Sequence, residues 1–394
     1  MPVDINTYKF NNYFLFFLFF NFAIAQSPIL LHLGVRGIFL LPLMLLFTLF
    51  FHFYLHRNFS KKLIIITFIL FFSSLFSSLF WLDLRILFLP LWSITYLLTL
   101  AICTKEDISK LIDYLTFFFI VLLIGAYISF FLALFGMNPI SNLSDRFGAT
   151  NIHFYGFTLT NAKQFSVIRP AGIYDEPGAF SFFICTLVFL RNQYKKNEFL
   201  SLVILLSGFI TFSLTHLLFS FIYLFSKYLN YKRLFYLFLL IILFIIIIYY
   251  FEINKIFDEL LYSRLIDFSE NFTENERYLN FTNAFEQLLF KPYGLLFGIN
   301  PICIFEISKC VSNYGMICCN PLEPITSTGI LLSWPYYLII LYLTINGILK
   351  RANFINFGIV ILLLQRPSVN SAGYTFVIFV IILTLTNNFY VQKK

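Results

Sequence analysis

Charged side chains are scarce in this sequence. Asp, Glu, Lys and Arg make up 12% of its 394 residues, against about 25% in a soluble domain. With 60% hydrophobic residues and a mean hydropathy of +0.84, its apolar area exceeds what one core could enclose, which excludes a water-soluble globule. Histidine is rare, at five residues, and no His-rich or Asp-rich cluster occurs. Neither a GxxxxGK[ST] phosphate loop nor a GxGxxG turn after a strand is present. The expectation is chemistry without ATP, without a dinucleotide or other cofactor, and without a tightly held metal.

Cysteine is sparse as well, and unevenly spread. Of six cysteines, Cys303, Cys310, Cys318 and Cys319 fall in one polar stretch. In an oxidising compartment an even cluster suggests disulfides. A zinc site is the sharper alternative, but the stretch has no histidine and no Cys-x-x-Cys pair. A bond between the adjacent Cys318 and Cys319 would be strained, so pairing of these two with Cys303 and Cys310 is expected. Cys103 and Cys185 lie at or in apolar helices and read as packing residues.

What the chain has is long apolar runs. Leu63–Trp81 and Leu234–Phe251 carry no charge, and each approaches the roughly 20 residues a helix needs to cross a hydrocarbon core of about 30 Å. The predicted fold is all-α: one polytopic transmembrane domain, 1–394, of about twelve helices. They are expected at 10–25, 36–55, 63–81, 86–102, 112–136, 172–190, 199–212, 215–229, 234–251, 325–349, 353–365 and 373–390. Helices follow because each backbone polar group in lipid needs a partner, and no alternating strand pattern is seen. The 56 phenylalanines fit an AT-rich coding sequence and carry no chemistry by their number.

Twelve spans put both termini on one side, and charge says which. The loops on that side hold 16 of the 27 basic residues and five of the 19 acidic ones. Basic residues in short loops mark the cytoplasm. The net charge of +8 is therefore a topology signal and needs no nucleic-acid partner. Lys9, the apolar run from Tyr13, and Ala23-Ile24-Ala25 before Gln26 are also compatible with a secretory signal; a first transmembrane helix fits the charge pattern without processing. Two long segments, 137–171 and 252–324, then fall on the outer, periplasmic side. Loops of that length usually carry function or are disordered. In the second, Tyr278, Phe281, Phe285 and Leu288 stand at helical spacing, a face for the membrane surface or for the mouth of the bundle.

Three segments carry candidate chemistry. Arg169–Phe180 reads RPAGIYDEPGAF, and sets Arg169, Asp175 and Glu176 where the first long loop meets a helix. Locally, Asp175 and Glu176 could be capping residues with Arg169 as their salt-bridge partner. The functional alternative is a polar pocket where an arginine grips phosphate oxygens and a carboxylate takes or gives a proton. Asn275–Asn300 reads NERYLNFTNAFEQLLFKPYGLLFGIN. Arg277 is its candidate, either as a site residue or as a surface pair with a neighbouring acid. Thr211–His216 reads TFSLTH; His216 could be a base, or a boundary histidine satisfied by one hydrogen bond. His153 in the first loop has the same two readings.

The order of these features resembles the Wzy-type O-antigen and capsule repeat-unit polymerases, which share a superfamily with the O-antigen ligases. RPAGIYDEPGAF looks like the family's Arg-x-x-Gly and Glu-Pro before a helix, and TFSLTH looks like its short paired helices around a Ser-containing turn. Arg277 followed by GLLFG resembles its second arginine segment, and CNPLEPITSTGILLSW, Cys319 to Trp334, the passage into the next helix. The likeness covers about 150–340 and the span layout; order and topology carry it, not any single motif. Ligases of the superfamily usually carry a histidine before that helix. Here Asn320, Pro321, Leu322 and Glu323 stand there, which favours a polymerase.

The resemblance implies a metal-independent glycosyltransferase in the bacterial inner membrane, with both termini cytoplasmic. A sugar hydroxyl on one polyprenyl-diphosphate carrier would attack the anomeric carbon of a chain on another. Arg169 and Arg277 would bind the leaving diphosphate. Glu176, or else Asp175 or His216, would accept the proton. The implied partners are the lipid-linked glycan donor and acceptor, membrane lipid and a chain-length regulator. The nearest rival is a ligase acting on a lipid-core or protein acceptor. A transporter or flippase is the rival from another class, although no internal repeat is seen.

Overall fold

A computed structural model describes residues 5–25, 27–32, 37–55, 61–144, 151–156, 158–164, 167–228, 276–317, 320–349, 354–367 and 372–385. It is mostly helical. The helices of the first half are α1 (Ile5–Phe19, continued by a π turn, Phe20–Ile24), α2 (Pro28–His32), α3 (Gly37–Leu55), α4 (Lys61–Trp81), α5 (Leu91–Ala101) and α6 (Lys105–Leu134). Next come α7 (Pro177–Gln193), α8 (Glu198–Ser207) and α9 (Leu214–Tyr228). After residue 275 stand α10 (Glu276–Phe290), α11 (Gly294–Phe297), α12 (Ile302–Phe305), α13 (Ile307–Tyr314) and α14 (Glu323–Thr328), then α15 (Ile330–Leu349), α16 (Asn356–Gln365) and α17 (Ala372–Leu385).

Among the described residues, four helical segments are long and apolar enough to cross a bilayer: Lys61–Trp81, Leu84–Ala101, Lys105–Leu134 and Ile330–Leu349. Shorter apolar helices stand at the expected 10–25, 36–55, 199–212, 215–229, 353–365 and 373–390; the helix expected at 172–190 starts only at Pro177, because a strand runs to Gly172, and 234–251 lies outside the described residues. The stretch 199–229 is two helices. A 3-10 turn, Gly208–Thr211, ends the first, and Phe212 turns the chain at φ 47°. Local chemistry sets some boundaries plainly. At the start of α6, Thr104 and Asp107 form a reciprocal capping box, satisfying two amides the helix cannot pair itself.

One part of the fold departs from the all-α expectation. The first long loop holds a four-stranded antiparallel meander, β1 (Ser141–Ser144), β2 (Asn151–Phe154), β3 (Leu159–Gln164) and β4 (Val167–Gly172), in that spatial order. Its strands are four to six residues long, too short for a two-residue period to stand out of a polar loop. The sheet still buries Ile152, Leu159 and Ala171, and β4 runs directly into the start of α7.

Helix α7 is the centre of the bundle. Every residue from Ala179 to Arg191 is buried, as a helix apolar on all sides requires. It packs with α6, α8, α9, α16 and α17, and its Phe183 stacks on Tyr174 with ring centroids 4.4 Å apart. By contrast α4 turns Phe68, Phe72, Phe76 and Leu79 outward, each more than half exposed.

Segments at one end of the bundle touch each other. Ser27 Oγ donates to the Ile173 carbonyl at 2.6 Å, and Trp81 Nε1 to the Phe297 carbonyl at 2.9 Å. At the opposite end Lys196 pairs with Asp113 at 2.7 Å, and Lys227 with Glu198 at 3.7 Å. The alternation of spans read from the sequence assigns these two groups to opposite sides.

The second long loop has its own small core of Ala284, Ile299, Cys310 and Ile317. Here the expected disulfide pattern is corrected. Cys303 is bonded to Cys310, so neither takes Cys318 or Cys319, which lie outside the described residues. The helices α12 and α13 fold against each other and bring the two sulfurs together.

Candidate functional site

The site is built where β4 hands over to α7. Gly172 ends the strand at φ 66°, and a Cβ there would lie 2.9 Å from the Phe180 ring. Only glycine takes that turn without strain and without striking α7. The chain then crosses the mouth of the bundle through Tyr174, Asp175 and Glu176, and Pro177 starts the helix with a ring preset for the first turn.

Glu176 is the N-cap residue of α7, yet its side chain makes no capping bond to the helix amides. Its carboxylate turns instead to Arg366, just past the end of α16, and forms an ion pair with Nη2. The Arg366 side chain is 14% exposed and that of Glu176 45%, so the carboxylate forms the accessible side of the pair. Gly178 makes room for it: a Cβ at that position would stand 2.8 Å from Arg366 Nη2. Two parts of the chain nearly 190 positions apart are thus shaped to each other around one guanidinium.

Asp175 lies beside the pair. Burial raises its carboxyl above the usual range, repulsion from Glu176 adds to that, and Arg366 opposes both. Its Oδ1 is buried without a hydrogen-bond partner among the described residues, as is the hydroxyl of Tyr174. Asp175 and Tyr374 both lie within reach of Arg366, and buried polar atoms are normally paired, so this end of the bundle is a polar spot in an otherwise apolar interior.

The other candidates stand elsewhere. Arg169 is 9% exposed and does not bridge to Asp175 or Glu176 as a local salt bridge would have it. Its Nε and Nη2 donate to the Thr211 carbonyl at 3.1 and 2.9 Å, and Nη2 also to the Phe212 carbonyl at 3.0 Å. It therefore fastens β4 to the turn between α8 and α9, uniting the first and third motifs. His216 is fully buried in α9. Its Nε2–H donates to the Leu205 carbonyl at 2.8 Å, while Nδ1 lies 3.1 Å from Ser181 Oγ and 3.3 Å from Cys185 Sγ. The ring joins α7, α8 and α9, and its neighbour Cys185 is a buried free thiol. His153 donates from Nδ1 to Asn142 Oδ1 at 2.6 Å across β1 and β2. The backbone of Arg277 lies in the first turn of α10; its side chain is outside the described residues.

Arg366 is the residue that reading the sequence missed. It had a signal: a cation in a short connection between two apolar helices, on the side that the positive-inside tendency leaves poor in them. Among the described residues no three His, Cys, Asp or Glu side chains converge to hold a metal ion. What the arrangement offers is an exposed carboxylate, a second carboxyl with raised proton affinity, and a cation able to meet phosphate oxygens once its carboxylate lets go. Comparison of the chain with protein-family models, with curated proteins and with solved structures finds no match.

Proposed function

We propose that this protein polymerises polyprenyl-diphosphate-linked oligosaccharide repeat units at the periplasmic face of the bacterial inner membrane, with both termini in the cytoplasm. The observation that carries the reading is the Glu176–Arg366 pair at the start of α7. It joins a proton acceptor inside the segment that resembles the polymerases, Glu176, to a phosphate-binding group from beyond that segment, Arg366. A disulfide in the second long loop supports an oxidising outer compartment for that end of the bundle.

In this mechanism the terminal hydroxyl of one lipid-linked glycan attacks the anomeric carbon of a second. The new glycosidic C–O bond forms as the bond to the diphosphate breaks, and the polyprenyl diphosphate departs with both electrons. Glu176 accepts the hydroxyl proton. Protonation removes its negative charge, so its hold on Arg366 weakens. Arg366 is then a cation available to the departing diphosphate, alongside Arg277 and the field of Arg169. Asp175 is the second candidate for the proton. His216, enclosed by Ser181, Cys185 and Leu205, takes a packing and hydrogen-bonding role.

The test is glycan electrophoresis of a deletion strain with and without the gene restored. A polymerase leaves single-repeat glycan on its acceptor and loses the long ladder, which the gene brings back. If long polymer instead accumulates on the polyprenyl carrier, the protein is a ligase. An unchanged ladder contradicts both.

A further inference from the structure

The second long loop carries an exposed apolar surface that its own small core leaves uncovered. Helix α10 turns Asn280 and Ala284 inward, 5% and 0% exposed. Phe281, Phe285 and Leu289 line the outer side, 39%, 50% and 64% exposed, one turn apart on a single stripe. Thr282 and the exposed Glu286 run next to this stripe. The sequence placed Leu288 on that face. The structure turns Leu288 toward the loop's own core and puts Leu289 outside.

This stripe does not stand alone. It continues through α11 onto the outward face of α4. Phe80 of α4 stacks on Phe297 with centroids 4.0 Å apart, and Tyr293 lies 5.8 Å from Phe80 and 5.9 Å from Trp81. Trp81 is the last residue of the 21-residue helix α4, whose length matches a hydrocarbon core of about 30 Å. A tryptophan at that position belongs at headgroup level, and its hydrogen bond to the Phe297 carbonyl fixes α11 at the same depth. Exposed apolar side chains thus stand on α4, on α11 and on α10, with α11 touching both of the other helices.

We propose that α10 and α11 lie at the water–hydrocarbon boundary of the outer leaflet, with Phe281, Phe285 and Leu289 among the acyl chains and Glu286 in the headgroup layer. The occupant of this surface is phospholipid. Continuity with a face that must itself meet lipid argues for the bilayer over a second copy of the chain. An amphipathic helix of this kind lies in the interface plane, its apolar side down. The proposal rests on α4 crossing the membrane and is independent of the polymerase reading.

The test uses the full chain in vesicles of phosphatidylethanolamine and phosphatidylglycerol. The photoreactive residue p-benzoylphenylalanine replaces Phe285, Glu286 or, as a reference on α4, Phe76. After irradiation, intact-protein mass should rise by one phospholipid at positions 76 and 285, and several-fold less at 286. A lipid adduct at 76 with none at 285 overturns the proposal, as does a cross-link at 285 to a second copy. Absence of lipid adduct at 76 overturns it too, by removing α4 from the bilayer.

Discussion

The two ends of α7 each meet a buried guanidinium and treat it in opposite ways. At the inner end Arg191 donates to Ser201 Oγ at 2.9 Å, Thr116 Oγ1 at 2.7 Å and the Asn197 carbonyl at 3.0 Å. These acceptors are neutral and belong to α6, α8 and the turn before α8. At the outer end Arg366 meets Glu176, whose carboxylate is 45% exposed. A neutral acceptor holds its arginine equally at any pH, whereas a carboxylate holds it less strongly once it has taken a proton. Arg191 is therefore a structural tie between helices, whereas Arg366 stands in the candidate site.

Breaking the inner tie has the largest expected effect. In Arg191→Ala, Thr116 and Ser201 keep the Ile112 and Asn197 carbonyls, so the loss is that of charge-assisted bonds and packing, about 3 kcal/mol. Membrane-extracted protein should melt well below the wild type and accumulate poorly, and polymer should fall with protein amount. Arg366→Ala should do the reverse, abolishing long-chain polymer in electrophoresis while the protein stays at its normal level and melts close to the wild type. The half-exposed Glu176 is hydrated once its buried partner is gone, so the stability lost should be smaller than at Arg191, about 1–2 kcal/mol.

Asp175 sharpens the contrast through pH. Its folded-state carboxyl is raised, by burial first and then by Glu176, so the folded protein holds this proton more tightly than the unfolded chain. Its contribution is full below the ordinary carboxylate range and is lost as pH rises through the raised value. The Asp175→Asn protein should lack that loss, seen as a flatter melting temperature against pH across that window. The smallest effect is expected from Gly178→Ala, whose new methyl would stand 2.8 Å from Arg366 Nη2 and must push the end of that side chain aside. A few-fold drop in polymer, with unchanged protein level, is the outcome to measure.

Much of the scaffold was legible because apolar length is a strong signal. The runs behind α3, α4, α6 and α15 announced themselves, and so did the break at Ser213. The sheet did not, since its strands owe their order to hairpin pairing such as Asn161 with Arg169 and not to a local pattern. The disulfide was misread because adjacency of Cys318 and Cys319 is visible in sequence, while the approach of α12 to α13 is not. At the site, the Asp-Glu-Pro step marked the start of α7, and local spacing made Arg169 its natural partner. The partner chosen by the fold, Arg366, comes from a distant connection, where only the oddity of its charge could have pointed to it.

Glu176 is the residue on which the proposed chemistry turns. The direct measurement is extension of purified polyprenyl-diphosphate-linked repeats by the full protein in liposomes, comparing wild type with Glu176→Gln. Glutamine keeps the size and a hydrogen bond to Arg366 but cannot take the proton. Long products from the wild type, and single repeats from the variant at equal protein level, are the predicted result. Wild-type chain lengths made at the wild-type rate by Glu176→Gln would contradict it.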